Sequence, residues 1–314
     1  MPEYLGPGVY IEETSFRAKT IEGVGTSTAG FVGPTRFGPI SGEPELLTSF
    51  ADFERIYGGL DRLEYDERMH NYVAHAVRNF FEEGGRRLYV ARVWEPLNNT
   101  PWSGYASAVI QDAGAPPGDV VTIRARHPGA AGNGAVTFLF RLGPNILGEE
   151  PVDPADPAGE TRPALRGARS YDVVWVGGAA PDSGKFYWLE RYLDEDTGRY
   201  TFRLRDDDPD GDASGAKLVG ELDPENERVR VLSVDVTYAP EQGVGELSWT
   251  DLGIHPDHPA SLFKQFAAEP SSRSVELYVP LVFTTDIENG AEIAEGLLAQ
   301  GSLVDSDTAV RSFL

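Results

Sequence analysis

Met69, Tyr72, Val73, Ala76, Val77, Phe80 and Phe81 recur at three- and four-residue spacing, and Gly84-Gly85 closes the run. That spacing predicts a helix with one apolar face and a glycine stop. The next segment, residues 88–94 (LYVARVW), reads as a strand. Helix, double glycine and strand make a right-handed crossover pattern. Upstream, Thr48 or Ser49 can cap a shorter helix through Phe50, Phe53, Ile56 and Tyr57, with Asp52 and Glu54 in its first turns and Gly58-Gly59 as its end. Residues 20–33 (TIEGVGTSTAGFVG) are small and apolar, as suits a buried strand packed closely by other backbone. Residues 20–95 therefore read as part of an α/β layer.

Beyond Pro96 the period changes from helical to alternating. Residues 96–104 are turn-rich, 119–126 (DVVTIRAR) alternate as a strand, 128–134 (PGAAGNG) are a turn cluster, and 135–142 resume a strand. Repeated Pro, Gly and Asp over 143–169 predict a long, mobile surface loop. Short strands are then predicted at 170–177, 185–193, 199–205, 216–222 and 228–238, a spacing typical of an antiparallel β domain. Near the end the α/β texture returns, with a short helix at 261–268, a strand at 275–283 and a helix at 287–300. The expected fold class is an α/β (α+β) inner domain interrupted by an inserted, mainly antiparallel β domain. An extended N-terminal arm precedes it, because residues 9–13 have strand character but no obvious hairpin partner. The corresponding divisions are 1–19 for the arm and its linker, 20–100 and 261–314 for the α/β domain, and 101–260 for the inserted β domain.

Composition narrows the chemistry. The 314 residues include no Cys, which excludes disulfides, thiolate zinc sites and a cysteine nucleophile. No apolar run approaches the roughly 18 residues that span a bilayer, and the acidic start MPEYLGPGVYIEE is unlike a signal peptide. The formal charge is −23, of which residues 1–100 carry −5 and the remainder −18. Such a field repels phosphate, so nucleic acid and anionic membrane surfaces are poor partners, and the acidic excess reads as a solvated outer face.

Motifs for catalysis largely fail. Gly23-x-Gly25 near Gly30 lacks the third glycine of a dinucleotide turn and a clean strand–turn–helix context, so close strand packing explains it better. Phosphate-loop and nucleophile-elbow patterns are missing. His70 and His75 are five apart on the amphipathic helix, and His255-Pro256-Asp257-His258 reads as a solvated turn before a metal site. Asp206-x-Asp208-x-Asp210-Gly211, with Asp212 beyond, reproduces the opening of a calcium loop. Its twelfth position is Lys217 rather than a bidentate Glu, and a strand precedes it, so a wet acidic hairpin tip is the preferred reading and no metal or cofactor is expected. Nothing singles out a pair among the 50 acidic residues for glycoside chemistry.

Four segments resemble contractile tail sheath proteins of phages and related injection particles: PGVYIEE at 7–13, IEGVGTSTAGFVG at 21–33, LTSFADFERIYGG at 47–59, and IRARHPGAAGN at 123–133. The first three fall in order with the family's spacing, and the fourth resembles the P-G-x-x-G-N turn opening its middle region. The resemblance implies a non-enzymatic subunit that polymerises helically around an inner tube and contracts to drive the tube through a target envelope. It also implies an inner α/β domain with an outer β-rich insertion, and an arm (Gly8, Val9, Tyr10, Ile11, Glu12 and Glu13) that adds a strand to a neighbour's sheet. Implied partners are other sheath subunits, the inner tube protein, and baseplate and terminal cap proteins. Assembly would occur in the cytoplasm of the producing cell, ahead of incorporation into a virion or released particle. Sheath proteins normally continue into a further C-terminal region, so a remainder beyond Leu314 is expected, without which the strands of 21–33 and 88–94 would lack neighbours and expose apolar surface. The rival expectation is a particle-surface adhesin or carbohydrate-binding β module.

Overall fold

The structure is a computed structural model. It describes residues 28–298 apart from 64–68, 97–99, 101, 113, 115, 154, 179–183, 196–197, 208, 212–214 and 242–244, together with the backbone of 308–313. The predicted arm, Gly8 to Glu13, lies outside the described residues, as does most of the small-residue run at 20–33. The protein mixes α and β structure, with most of its ordered residues in sheets.

The first layer is built from β1 (Ala29–Gly33), β2 (Leu46–Leu47), α1 (Phe50–Tyr57), α2 (Tyr72–Glu82) and β3 (Leu88–Arg92). β1 and β3 are parallel, as the crossover pattern predicts, and β2 runs antiparallel on the other side of β3. Ser49 caps α1 by accepting from the Asp52 amide, and Gly58 ends it at φ 92°, a conformation few side chains tolerate. The second helix starts at Tyr72 with Asn71 as its cap, later than the periodicity suggests, and Met69 stays exposed outside it. Phe53, Ile56, Tyr57, Ala74 and Val77 bury against Leu47, Leu88 and Val90 to form a compact core. The Tyr57 hydroxyl is satisfied there by donating to the Val90 carbonyl at 2.8 Å.

The remaining strands are β4 (Ser107–Gln111), β5 (Asp119–Ala125), β6 (Gly134–Asn145), β7 (Leu147–Pro151), β8 (Thr161–Leu165), β9 (Val173–Gly177), β10 (Lys185–Asp194), β11 (Arg199–Arg205), β12 (Lys217–Leu218), β13 (Arg228–Pro240), β14 (Leu247–Leu252), β15 (Leu281–Thr284) and β16 (Thr308–Phe313). Three further helices are α3 (Leu262–Gln265), α4 (Arg273–Tyr278) and α5 (Gly290–Leu297). A large antiparallel sheet has the order β12-β11-β10-β9-β13-β6-β16, with β14 also pairing β13, and a small one has the order β15-β5-β4. Strand β9 shows why two cores form. Val173 and Trp175 face one cluster with the β5, β15 and α5 side chains, while Val174 and Val176 face another with Leu147, Leu204 and Val229. The first of these clusters runs on across residue 260, joining Leu252 and Ile254 to Leu262, Phe266 and Phe283. No described helix is long and apolar enough to cross a membrane.

Three expectations need correction. The loop at 143–169 contains the β7–β8 hairpin, held by Leu147 in the second cluster, by half-buried Leu165 and by the Arg162–Glu150 pair at 2.6 Å. The strand at 275–283 is α4 followed by the shorter β15. Val275, Leu277 and Val279 alternate, but Pro280 holds Val279 extended and ends the helix before it. At 216–222 only Lys217 and Leu218 pair as a strand, and the chain turns at once into a short 3-10 helix, Val219–Glu221. Strands β4 and β14 went unmarked by the pattern.

Candidate functional site: the junction turn at 128–133

The turn that opens the middle region joins the first layer to the sheets. Most residues of the 123–133 segment make identifiable contacts. Ile123 and Ala125 face the core from β5. Arg124 points the other way and lies 3.4 Å over the Trp102 ring. Arg126 donates to the carbonyls of Ala267 (2.8 Å), Val279 (2.7 Å), Leu281 (3.2 Å) and Ala268 (3.3 Å), fastening the 267–281 segment to β5. The Pro128 carbonyl accepts from Arg92 Nη2 at 2.8 Å, and Arg92 Nη1 reaches the Gly38 carbonyl at 2.8 Å. Gly129 donates to the Gly104 carbonyl at 2.8 Å, and the Tyr238 hydroxyl donates to the Gly132 carbonyl at 3.0 Å. Burial pushes that phenol up to about 12.

His127 is the chemically distinctive member. It donates to the Glu276 carbonyl, which works to raise its pKa, but burial and the nearby Arg92 and Arg126 guanidinium groups outweigh this and hold it at about 4. Nε2 is buried without a hydrogen-bond partner, so Nδ1 makes the bond to Glu276 and Nε2 is a bare acceptor. Helix α4 closes the junction from the other side. Leu277 packs on the first-layer core, Arg273 pairs with Glu45 at 3.3 Å and Glu276 at 2.6 Å, and Arg55 lies 4.6 Å over the Tyr278 ring.

Gly129 can be tested directly. Its φ is 120°, and a Cβ there would stand 3.2 Å from Arg92 Nη2 and 3.3 Å from the Arg36 carbonyl. Gly129→Ala should cost about 1–3 kcal/mol in urea unfolding. Gly84→Ala, at φ 92° but with nothing within 4 Å, should cost only the conformational share of about 1 kcal/mol. Equal losses at the two positions would mean that the crowding at Gly129 carries no weight.

The acidic run is organised around a guanidinium. Arg205, only 1% exposed, meets Asp207 through two bonds (2.8 and 2.7 Å), Glu190 at 3.1 Å, and the carbonyls of Pro209 and Gly211 at 3.1 Å, and lies 4.9 Å over the Trp188 ring. Asp206 pairs with Lys185, and Asp210 is exposed. Asp208 and Asp212 lie outside the described residues. The turn that resembles a calcium loop thus folds around a cation carried by its own strand, and no group of three His, Asp or Glu among the described residues stands close enough to hold a metal.

Both imidazoles of the 255–258 turn are buried, where a solvated turn was expected, although Asp257 between them is exposed. His258 accepts from the Ala260 amide at Nδ1 and gives its Nε2 proton to Asp172 at 3.1 Å. His255 sits between Tyr171 (4.7 Å) and Trp188 (5.0 Å), accepts from the Asp257 amide, and is held at about 4 by burial. His70 and His75 are exposed and take no part. Sequence reasoning missed Arg92 and His127, although one signal was present: alternation through Leu88 and Val90 puts Arg92 on the inward face of β3. No family model matches the chain, and no curated protein matches it.

Proposed function

We propose that the chain is a structural subunit of a contractile tail sheath, polymerising helically around an inner tube and contracting to drive it through an envelope. One observation carries the reading, alongside the resemblance of four sequence segments. Among the described residues, the parallel pair β1–β3 has helices on one face only. On the other, Gly30, Val32, Ala91 and Val93 are exposed, Val32 by 73% and Val93 by 51%. The outer edge of β1 has no ladder partner among the described residues. Parallel sheets are ordinarily covered on both faces, and an unpaired edge is a template for another strand. A bare apolar face beside an open edge is what a subunit needs if neighbours or a further domain complete its sheet.

In this reading the α/β domain of 20–100 and 261–314 faces the tube, and the inserted β domain of 101–260 faces outward. The arm from Gly8 to Glu13 is a donor strand, tethered by the residues before β1, so subunits can slide without separating. Contraction draws on differences in packing between two subunit arrangements, with no nucleotide or metal required. Other subunits, the inner tube protein, and baseplate and cap proteins are the partners. The test is Val32→Asp with Val93→Asp. Rings or tubes formed by the parent in negative stain should vanish, while the unfolding midpoint moves little, since exposed substitutions rarely exceed 0.5 kcal/mol. A double variant that assembles like its parent would overturn the proposal. So would a parent that stays monomeric and binds glycans on an array, which is the adhesin's behaviour.

A further inference from the structure

Arg124 sits on the face of β5 opposite to Ile123, between Ser107 of β4 and Val282 of β15 in the small sheet. Among the described residues it makes no hydrogen bond and no ion pair, and of its nitrogens only Nε is closed to solvent. The guanidinium is set against two rings instead, 3.4 Å over Trp102 and 5.6 Å from Tyr105, which meet edge to face at 5.5 Å. Burial lowers its pKa, opposed by Tyr105 rather than by a carboxylate. Arg92 acts on Tyr105 together with Arg124, and Arg124 acts on Arg126, so three positive charges lie close together. The acid that reaches Arg126 is Glu276, which is paired with Arg273 at 2.6 Å.

Trp102 is 60% exposed, and its φ is 65°, a conformation that favours glycine. The backbone is thus strained to hold a large ring at the surface over a guanidinium, with no core to reward it. Trp, Tyr and Arg dominate binding at the centres of interfaces, and a stacked guanidinium with open terminal nitrogens matches a carboxylate. The chain itself supplies such a group: at a net charge of −23, each copy holds 23 more carboxylates than Lys and Arg side chains to pair them. We propose that the Trp102, Tyr105 and Arg124 cluster is an interface to a second copy of this chain. An Asp or Glu of that copy meets the terminal nitrogens of Arg124, and an apolar neighbour of that acid covers the Trp102 ring. The contact is separate from the open face of β1 and β3 and does not rest on the sheath reading.

Sedimentation equilibrium of the full chain tests this in the Val32→Asp, Val93→Asp background, where the open sheet face no longer offers an apolar surface. Self-association should persist there and weaken as NaCl rises from about 0.05 to 0.5 M, because the charge pair is partly solvated. Arg124→Gln should weaken it about tenfold or more. Trp102→Gly should do the same while the urea midpoint holds or rises, since glycine takes a positive φ without strain. Three results would overturn the proposal. One is a background variant that stays monomeric, whether the cluster is idle or takes an acidic glycan instead. Another is association indifferent to salt, to Arg124→Gln or to Trp102→Gly. The last is a weakening seen only in variants whose urea midpoint has dropped, which would make the cluster a folding element. A parent chain that forms no rings or tubes would count against the sheath and leave this test unaffected.

Discussion

Arg205→Met is expected to lower stability by about 3–5 kcal/mol, because one partner of a buried ion cluster is removed while the others remain. The Arg205 side chain is 2% exposed, whereas its partners Glu190 and Asp207 keep 28% and 35%. Methionine restores much of the packing on Trp188 but none of the donors, so the Pro209 and Gly211 carbonyls and two carboxylates lose their shared cation. The bonds from Arg203 and Arg205 lower the pKa of Glu190 against its desolvation, so it stays charged. Thermal unfolding should therefore start on the order of 10 °C lower. Arg205→Met combined with Asp207→Asn should lose less than the single change, since the stranded charge is gone; a purely steric origin predicts no such relief. Lys185→Ala, which breaks the half-exposed pair with Asp206, should cost under about 1 kcal/mol. Equal costs at Arg205 and Lys185 would show that burial does not set the value of these pairs.

The acidic turn illustrates how much of the molecule could be read from its sequence. Asp206-x-Asp208-x-Asp210-Gly211 has the residue types of a cation loop, and a cation is present, but it arrives covalently, one residue upstream, on Arg205. Local signals performed well where partners are close in sequence. Ser49 and Gly58 bound α1, Asn289 caps α5 within the predicted helix, and β11 spans the predicted 199–205. They failed where the deciding contact is distant. The β7–β8 hairpin depends on Leu147 meeting Val174 and Val229, and β4 becomes a strand because β5 supplies its ladder. The junction was hidden for a related reason. Arg126 binds carbonyls more than 140 residues away and Arg92 binds two more, and a carbonyl acceptor carries no side-chain signature. What the sequence did show was the turn itself: the residues of 123–133 that resemble a family motif are the same ones that tie the two halves together.

Acid should weaken the protein between pH 6.5 and pH 4, a loss that begins well above the range where ordinary carboxylates titrate. His127 and His255 are both held at about 4, in each case chiefly by burial, against an unperturbed 6.5. Within that window the unfolded chain takes up two protons that the native chain refuses, so stability falls as pH falls. A shift of that size corresponds to about 3 kcal/mol for each fully expressed histidine. The structural reason differs at the two positions. Protonating His127 at Nε2 puts a charge on an atom closed to solvent, near Arg92 and Arg126, with Glu276 as the favourable charge. Protonating His255 displaces the Asp257 amide from Nδ1 and adds a cation near His258 and Lys264, with Asp257 as the favourable charge. Glu295 works in the opposite direction, since desolvation raises its pKa and favours uptake of a proton by the native state. Two buried imidazoles outweigh one half-buried carboxyl, so the net slope remains positive with pH. Urea midpoints measured from pH 7.5 to 4 should fall steadily, and His127→Phe should remove about half of the slope while lowering stability at pH 7.5 through the lost bond to Glu276. A flat profile, or His127 and His255 C2 proton shifts that titrate near 6.5 in the folded protein, would show that neither ring is sealed from water and that the junction is open.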